Sequence, residues 1–341
     1  MIDATLRIGF AGPLVTYQDA GRPGHMRFGV SASGPMDPLA HDAANAALGN
    51  PDDATTVEIS MGGLSLECIS GVLSLAITGA DFTVERAGEK SSAWNVFSLE
   101  QGEKLTVRGG KTGSWAYLAF AGSVEAPQWL GKSATHSTSG FGGGQLVAGE
   151  KIHVSDARLR EDRHGEIERP SFLSTDNTVR VVMGPQDRYF TDSAISEFQS
   201  EPFTLTSAFD RMGVRLSGPR LNLASALSIP SEPISRGAIQ VAGDGVPTVL
   251  LADHQTTGGY PKIATVISDD IGKLSQLRAG DQVQFVPISA SDAIQIVRDT
   301  AAAREIYLAA ISEPKGTLEQ RLMANNLISG AVSGDEEYEQ S

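Results

Sequence analysis

The chain has 341 residues, 27 Lys and Arg against 41 Asp and Glu, and a formal net charge of −14. With the acids spread along the sequence, that balance argues against nucleic acid as a partner. Cys68 stands alone, which excludes an internal disulfide and any Cys-x-x-Cys metal or redox site. No stretch approaches the roughly 18 apolar residues of a membrane span, and the N-terminus lacks a basic region followed by an apolar run. A cytoplasmic chain of two domains, each burying its own core, is expected.

The 37 Gly and 16 Pro, short apolar runs and frequent turn clusters predict a mainly β protein with few helices. The first helix is predicted over Asp37 to Leu48, with Asp37 as cap, Pro38 in the first turn and Gly49 as stop. Its small face of Leu39, Ala43, Ala46 and Ala47 implies close packing. A Leu-x-x-Gly-acid-x-apolar-x-apolar form then recurs at Leu99–Val107, Leu146–Val154 and Leu277–Phe285, a turn at Gly followed by an alternating strand. Two copies in the first half and one in the second suit a β-barrel used twice.

The charged, irregular stretch from Asp156 to Thr178, with Pro170 inside it, reads as a linker. A helix follows from Thr191 to Phe198, then buried strands over Val246–Ala252 and Ile263–Ser268. A longer helix is predicted from about Ser291 to Ile311, where Ile294, Val297, Ala301 and Ile306 recur at helical spacing. The boundaries are therefore 1–160 for the first domain, 161–178 for the linker, 179–312 for the second domain and 313–341 for a polar, acidic, mobile tail.

Chemistry concentrates in the break at residues 253–265. Gly258, Gly259 and Pro261 shape a loop that comes close to something. Gln255, Thr256 and Thr257 offer three hydrogen-bonding side chains in a row, suited to an amide, urea or carboxylate. A hairpin turn with a solvated Lys262 is the competing reading. Asp210 and Arg211 read either as an ion pair at a turn or as part of a site, and Arg22 has the same two readings. Glu58 is a usable base if it points into a barrel and inert at a strand edge.

Other signals fall away. Gly131-Lys-Ser133 lacks the spacing of a phosphate loop. Gly140-Phe-Gly-Gly-Gly144 precedes a strand-like stretch rather than a helix, which leaves a β-turn or a glycine strip rimming a cleft. The six histidines show no metal-ligand spacing, so no metal is expected. His153 reads as a surface residue, while His25 and His254 are candidates for acid–base work. Without a Gly-x-Ser-x-Gly elbow, serine hydrolase chemistry is disfavoured.

Ordered blocks along nearly the whole chain carry a family resemblance. They are Gly12-Pro-Leu-Val-Thr-Tyr-Gln-Asp-Ala-Gly-Arg-Pro-Gly24, Val30-Ser-Ala-Ser-Gly-Pro-Met-Asp37, Ala44-Asn45 with Leu48-Gly-Asn50, and Glu58 with Gly62-Gly63. In the second half they are Gly184-Pro-Gln186, Asp210-Arg-Met-Gly213 with Leu216-Ser-Gly-Pro219, and the 253–265 loop. Together they resemble the allophanate hydrolase subunit 2 family, also called the KipA family or the family of the 5-oxoprolinase C-type subunit. That family is similar to half of the carboxyltransferase domain of urea carboxylase.

The resemblance implies two tandem cyclophilin-like β-barrels, with a few short helices and a C-terminal helix. It implies membership of a multi-chain complex that binds ATP and opens a cyclic amide to glutamate. The partners implied are an allophanate hydrolase subunit 1 protein, the KipI or 5-oxoprolinase B-type chain, and a 5-oxoprolinase A-type chain, with the site completed at their interface. Under it, Lys262 and Arg211 stabilise charge on oxygen, Asp210 or Glu58 handles the proton, and Gln255, Thr256, Thr257, Gly258, Gly259 and Tyr260 hold the amide. One rival is a biotin-dependent carboxyltransferase acting on urea or a similar amide; lacking an Ala-Met-Lys-Met acceptor, the chain would take biotin from a partner carrier. Another is a KipA-like regulatory module that binds a partner without turnover.

Overall fold

The computed structural model describes residues 3–172, 176–224 and 229–324. It is mainly β, in two halves built differently. In the first half a seven-stranded sheet runs Ser123–Val124, Lys151–Ser155, Ala4–Ala11, Leu64–Ser70, Lys104–Gly109, Phe82–Arg86, Glu89–Ser92. A six-stranded sheet runs Gly165–Glu166, Asn95–Leu99, Leu73–Gly79, Trp115–Phe120, Thr56–Ser60, Thr16–Gln18. Strand Ala4–Ala11 alternates, burying Ala4, Leu6 and Ile8 and leaving Arg7 out, as a sheet with one wet face does. Trp115–Phe120 is buried throughout because the helix Pro38–Leu48 covers it.

That helix begins and ends as its residues dictate. Asp37 accepts from the Ala40 amide at 3.2 Å, and Gly49 closes it in the left-handed region at φ 67°. The buried face includes Ala40, Ala43, Ala44 and Ala47; Leu39 and Ala46, expected on it, are half-buried. The three repeated turns also form as expected. Gly102, Gly149 and Gly280 take φ of +87°, +94° and +95°, and strands Lys104–Gly109, Lys151–Ser155 and Gln282–Pro287 follow them.

The second half is a closed barrel in the order Thr178–Met183, Lys262–Val266, Ala238–Val241, Pro247–Leu250, Gly213–Ser217, Phe203–Phe209, Gln282–Pro287. Parallel pairing of its first and last strands closes the ring. Helix Asp192–Ser200, capped by Thr191, inserts Phe198, which stacks on Phe285 at 5.0 Å and packs against Phe203.

Helix Ser268–Gln276 has no counterpart among the helices expected from the sequence. It is held by distant partners: Asp270 pairs with Arg180 at 2.6 Å, Ser275 Oγ donates to Met36 O at 2.9 Å, and Gln276 Nε2 donates to Asp37 Oδ2 at 2.9 Å. The helix Ala290–Ser312 crosses back onto Pro38–Leu48, where Arg304 pairs with Asp42. One contiguous apolar core runs through both halves.

Where a linker was expected, Gly165–Glu166 joins the six-stranded sheet and buried Arg163 donates to the Ala47 and Ser312 carbonyls. Beyond Ser312, Lys315 N donates to Asp162 O at 2.8 Å and a helix Leu318–Ala324 forms, so the near part of the expected tail is structured. Its acidic end, Gly334–Ser341, lies outside the described residues. Among the described residues no helix is long and apolar enough to cross a membrane.

Candidate functional site

Two polar clusters occupy the junction of the halves and the barrel mouth. The first is centred on Arg211, in the turn between strands Phe203–Phe209 and Gly213–Ser217. Asp210 Oδ1 accepts the Met212 and Gly213 amides at 2.8 and 3.2 Å, which fixes the turn and leaves the carboxylate at the surface. Arg211 goes the other way, into the core, with no exposed surface. Its Nε and Nη2 donate to the two Asp253 oxygens at 3.0 Å each, Nη2 also to Gly34 O at 2.7 Å, and Nη1 to Glu58 Oε1.

Glu58 comes from the other half, in strand Thr56–Ser60, directly opposite Tyr117 in the sheet register. Its Oε2 accepts the Tyr117 hydroxyl at 2.7 Å and the Met36 amide at 2.8 Å. Asp253 Oδ2 further accepts from Ser137 N and Oγ at 2.9 and 2.8 Å. Burial alone would lower the Arg211 pKa, but the Asp253 and Glu58 charges outweigh it and raise it. Burial, reinforced by Glu58, holds the Tyr117 hydroxyl well above its ordinary range. Arg236 moves the opposite way: burial and the Arg211 charge lower its pKa, and it donates to the Pro35 and Met36 carbonyls at 3.1 and 2.8 Å. The structure thus brings Glu58 and Arg211 together as a clamp between the halves, with every guanidinium nitrogen of Arg211 engaged by protein oxygen.

The second cluster surrounds Lys262. Expected in a loop, Lys262 instead begins the strand Lys262–Val266 and is 4% exposed. Its amide donates to Gln186 Oε1 at 3.0 Å, and its Nζ lies 3.7 Å from Glu232 Oε2, which Gln186 Nε2 also contacts. Gln240 is its cross-strand partner, and Gln255 Nε2 lies 3.5 Å from Gln240 Oε1. Beside Gln240 opens a cleft of about 640 Å³, lined among others by Asp210, Arg215, Gln240, Gln255 and Tyr260; Lys262 lies behind this wall and is not one of its lining residues.

The Gly258–Gly259 pair lies where the loop comes close to its neighbours. A Cβ on Gly258 would lie 2.5 Å from Ile234 Cδ1, and one on Gly259 would lie 2.9 Å from Ile229 O. Thr257–Gly258 forms a short strand with Glu232–Pro233, and Thr256 O accepts the Ile234 amide at 3.0 Å. Of the residues expected to hold an amide, Gln255 and Tyr260 reach the cleft wall. The backbone of Thr256, Thr257 and Gly258 fastens the loop.

His254 is buried with Nδ1 2.7 Å from Gln255 O, and burial lowers its pKa. His153 lies exposed on its strand. In the glycine strip, Phe141 stacks on Trp129 at 4.4 Å, and the buried Arg22 lies over the same Trp129 ring and donates to Ala134 O. No group of His, Cys, Asp and Glu among the described residues could hold a metal.

Sequence reasoning did not single out Tyr117, Asp253, Gln186, Glu232 or Gln240. Three had a signal: Asp253 opens the 253–265 break, Gln186 ends the Gly-Pro-Gln block, and Gln240 interrupts an apolar strand between Ile239 and Val241.

Comparison with known proteins agrees with this architecture. A family model for the carboxyltransferase domain, subdomain A and B, matches residues 28–287. The chain is 32% identical over 296 residues to the C-type subunit of 5-oxoprolinase from Haemophilus influenzae, covering 86% of this chain and 93% of that one. It is similar to the crystal structure of TTHA0988 (TM-score 0.74, 31% identity, 83% of this chain), of which it spans 55%. It is also similar to the crystal structure of the K. lactis urea amidolyase (TM-score 0.80, 25% identity, 90% of this chain), of which it spans 20%. The chain belongs to the carboxyltransferase domain, subdomain A and B, family.

Proposed function

We propose that the chain is the C-type component of a 5-oxoprolinase complex, which opens a cyclic amide to glutamate with hydrolysis of ATP. The observation that carries this reading is the match over 93% of the length of a relative that is itself a separate 5-oxoprolinase chain of the C type. The partners are a B-type protein, of the allophanate hydrolase subunit 1 or KipI kind, and an A-type protein. ATP is bound by the assembled complex, and this chain supplies part of the amide site.

The chemistry asks for donors aimed at an amide oxygen that gains negative charge, and for a rigid frame around them. Lys262 supplies such a donor, steadied by Glu232 and by the Gln186 contact to its backbone. Gln255 and Tyr260 orient the ring from the cleft wall. Arg211, Glu58 and Asp253 keep the two halves in register beneath it.

The test is ATP hydrolysis and glutamate release from 5-oxoproline by the co-purified complex, with Lys262→Ala alongside. Turnover lost in an assembled mutant complex supports the reading. A folded, complete complex without turnover sinks it. The likeness to the urea amidolyase structure favours one second reading, a carboxyltransferase that takes carboxybiotin from a partner carrier; carboxyl transfer to urea by the same chain with a carboxylated carrier would establish it.

A further inference from the structure

Gln240 sits in the middle of the apolar strand Ala238–Val241 and is 4% exposed. A buried carboxamide ordinarily finds partners for both of its ends. Here Gln240 Oε1 faces Gln255 Nε2, whereas Nε2 makes no hydrogen bond among the described residues. Lys262 Nζ is in the same condition, buried and without a hydrogen bond, with Glu232 Oε2 at 3.7 Å.

The two residues that carry these donors are neighbours through the sheet. Gln240 pairs with Lys262 across antiparallel strands, and the register shifts between Ile239 and Gln240. Directly opposed residues project from the same face with Cβ atoms about 5 Å apart. A bulge re-aims side chains at such a point. Around them, Gln186 holds both the Lys262 amide and Glu232, and the absence of a Cβ at Gly258, which would lie 2.7 Å from Gln240 Nε2, makes room for that carboxamide. Gln240 also lines the cleft beside Gln255 and Tyr260.

An interior that needed only packing would carry an apolar residue at 240, since unpaired buried donors are costly. Buried donors without a hydrogen-bonded protein acceptor are what a ligand oxygen requires. We propose that Gln240 Nε2 and Lys262 Nζ together form a two-donor site for one trigonal oxygen, a carboxylate or amide carbonyl, and that Gln240 is a substrate-binding residue of this cleft. The identity of the substrate rests on the function proposed above; the donor pair rests on geometry.

The test uses the 15N-labelled full-length chain, with the Gln240 side-chain amide resonance assigned by its loss in Gln240→Leu. Titration with sodium acetate or with 2-pyrrolidone is expected to shift that resonance saturably, and Lys262→Met to weaken the response at least tenfold. Gln240→Glu, which turns an acceptor toward Lys262, should abolish acetate binding. A resonance that neither probe moves, or one that responds equally in Lys262→Met, overturns the proposal. In the complete complex, Gln240→Leu is expected to lower kcat about a hundredfold with assembly intact, the scale of losing one oxyanion donor. If the resonance responds but 5-oxoproline is not opened, the donor pair stands and the substrate reading falls. If Lys262→Ala stops turnover and Gln240→Leu does not alter it, the pair falls and the substrate reading stands.

Discussion

Replacing Arg211 by Met tests the clamp between the halves. The substitution keeps much of the volume and removes the cation bonded to two carboxylates that have no exposed surface, Glu58 and Asp253. Each carboxylate retains two donors, Met36 N and Tyr117 Oη for Glu58, Ser137 N and Oγ for Asp253. The loss is therefore that of breaking one buried pair, about 4 kcal/mol at pH 7, rather than twice that. With a denaturant slope of about 1–3 kcal/mol/M, the urea midpoint should fall by more than about 1 M.

The pH dependence gives a second handle. In the intact protein burial pushes the Asp253 pKa up, but the Arg211 charge and hydrogen bonds, together with those from Ser137, bring it below its ordinary value. The stabilisation is then present above the unfolded carboxylate pKa of about 3.9 and is lost as pH falls through the lower folded value. Without Arg211 the burial effect dominates and the folded pKa rises above the unfolded one, so protonation relieves the variant. Its deficit should narrow between pH 7 and pH 5. Urea melts at both values decide: a deficit under about 1 kcal/mol, or one that does not change with pH, refutes a buried-charge clamp.

Three further outcomes follow from local geometry. Gly142→Ala puts a Cβ 2.2 Å from Ala134 O at a φ of +94°, and should cost about 1–3 kcal/mol in a thermal or urea melt. Phe198→Ala removes the ring that stacks on Phe285 and packs on Phe203, for about 3–5 kcal/mol by the same assay. Burial keeps the His254 pKa below its ordinary value, so the unfolded chain takes a proton first; stability should fall as pH drops below about 6.5, and His254→Phe should flatten that slope.

What the sequence made legible was whatever is decided within a few residues. A turn that needs positive φ selects Gly, so Gly102, Gly149 and Gly280 announced their strands. Asp37 and Gly49 bounded their helix from its two ends. Helix Ser268–Gln276 gave weaker notice: Asp269 and Asp270 suit a first turn, but Ile267 at its N-cap position supplies no side-chain cap, Gly272 lies within it, and its anchors are Arg180, Met36 and Asp37. Only the folded chain brings those residues to it.

The candidate site divides along the same line. Asp210 and Arg211 are adjacent and opposite in charge, which reads as one unit, yet on a tight turn they face apart. Asp210 closes the turn at the surface, and Arg211 finds its partners at positions 58 and 253. Lys262 stood out in the sequence for its neighbours, but what distinguishes it is a cross-strand Gln240 that no local pattern links to it. Satisfaction separates the Arg211 guanidinium from the Gln240 and Lys262 side chains. The Arg211 network occupies every guanidinium nitrogen and so holds the fold together, whereas Gln240 Nε2 and Lys262 Nζ are held in place without a hydrogen-bond acceptor among the described residues. Both clusters are buried and polar, so burial cannot tell a structural network from a binding site. A buried donor left without a hydrogen-bond acceptor on the wall of a cleft can, and Gln240 Nε2 is such a donor.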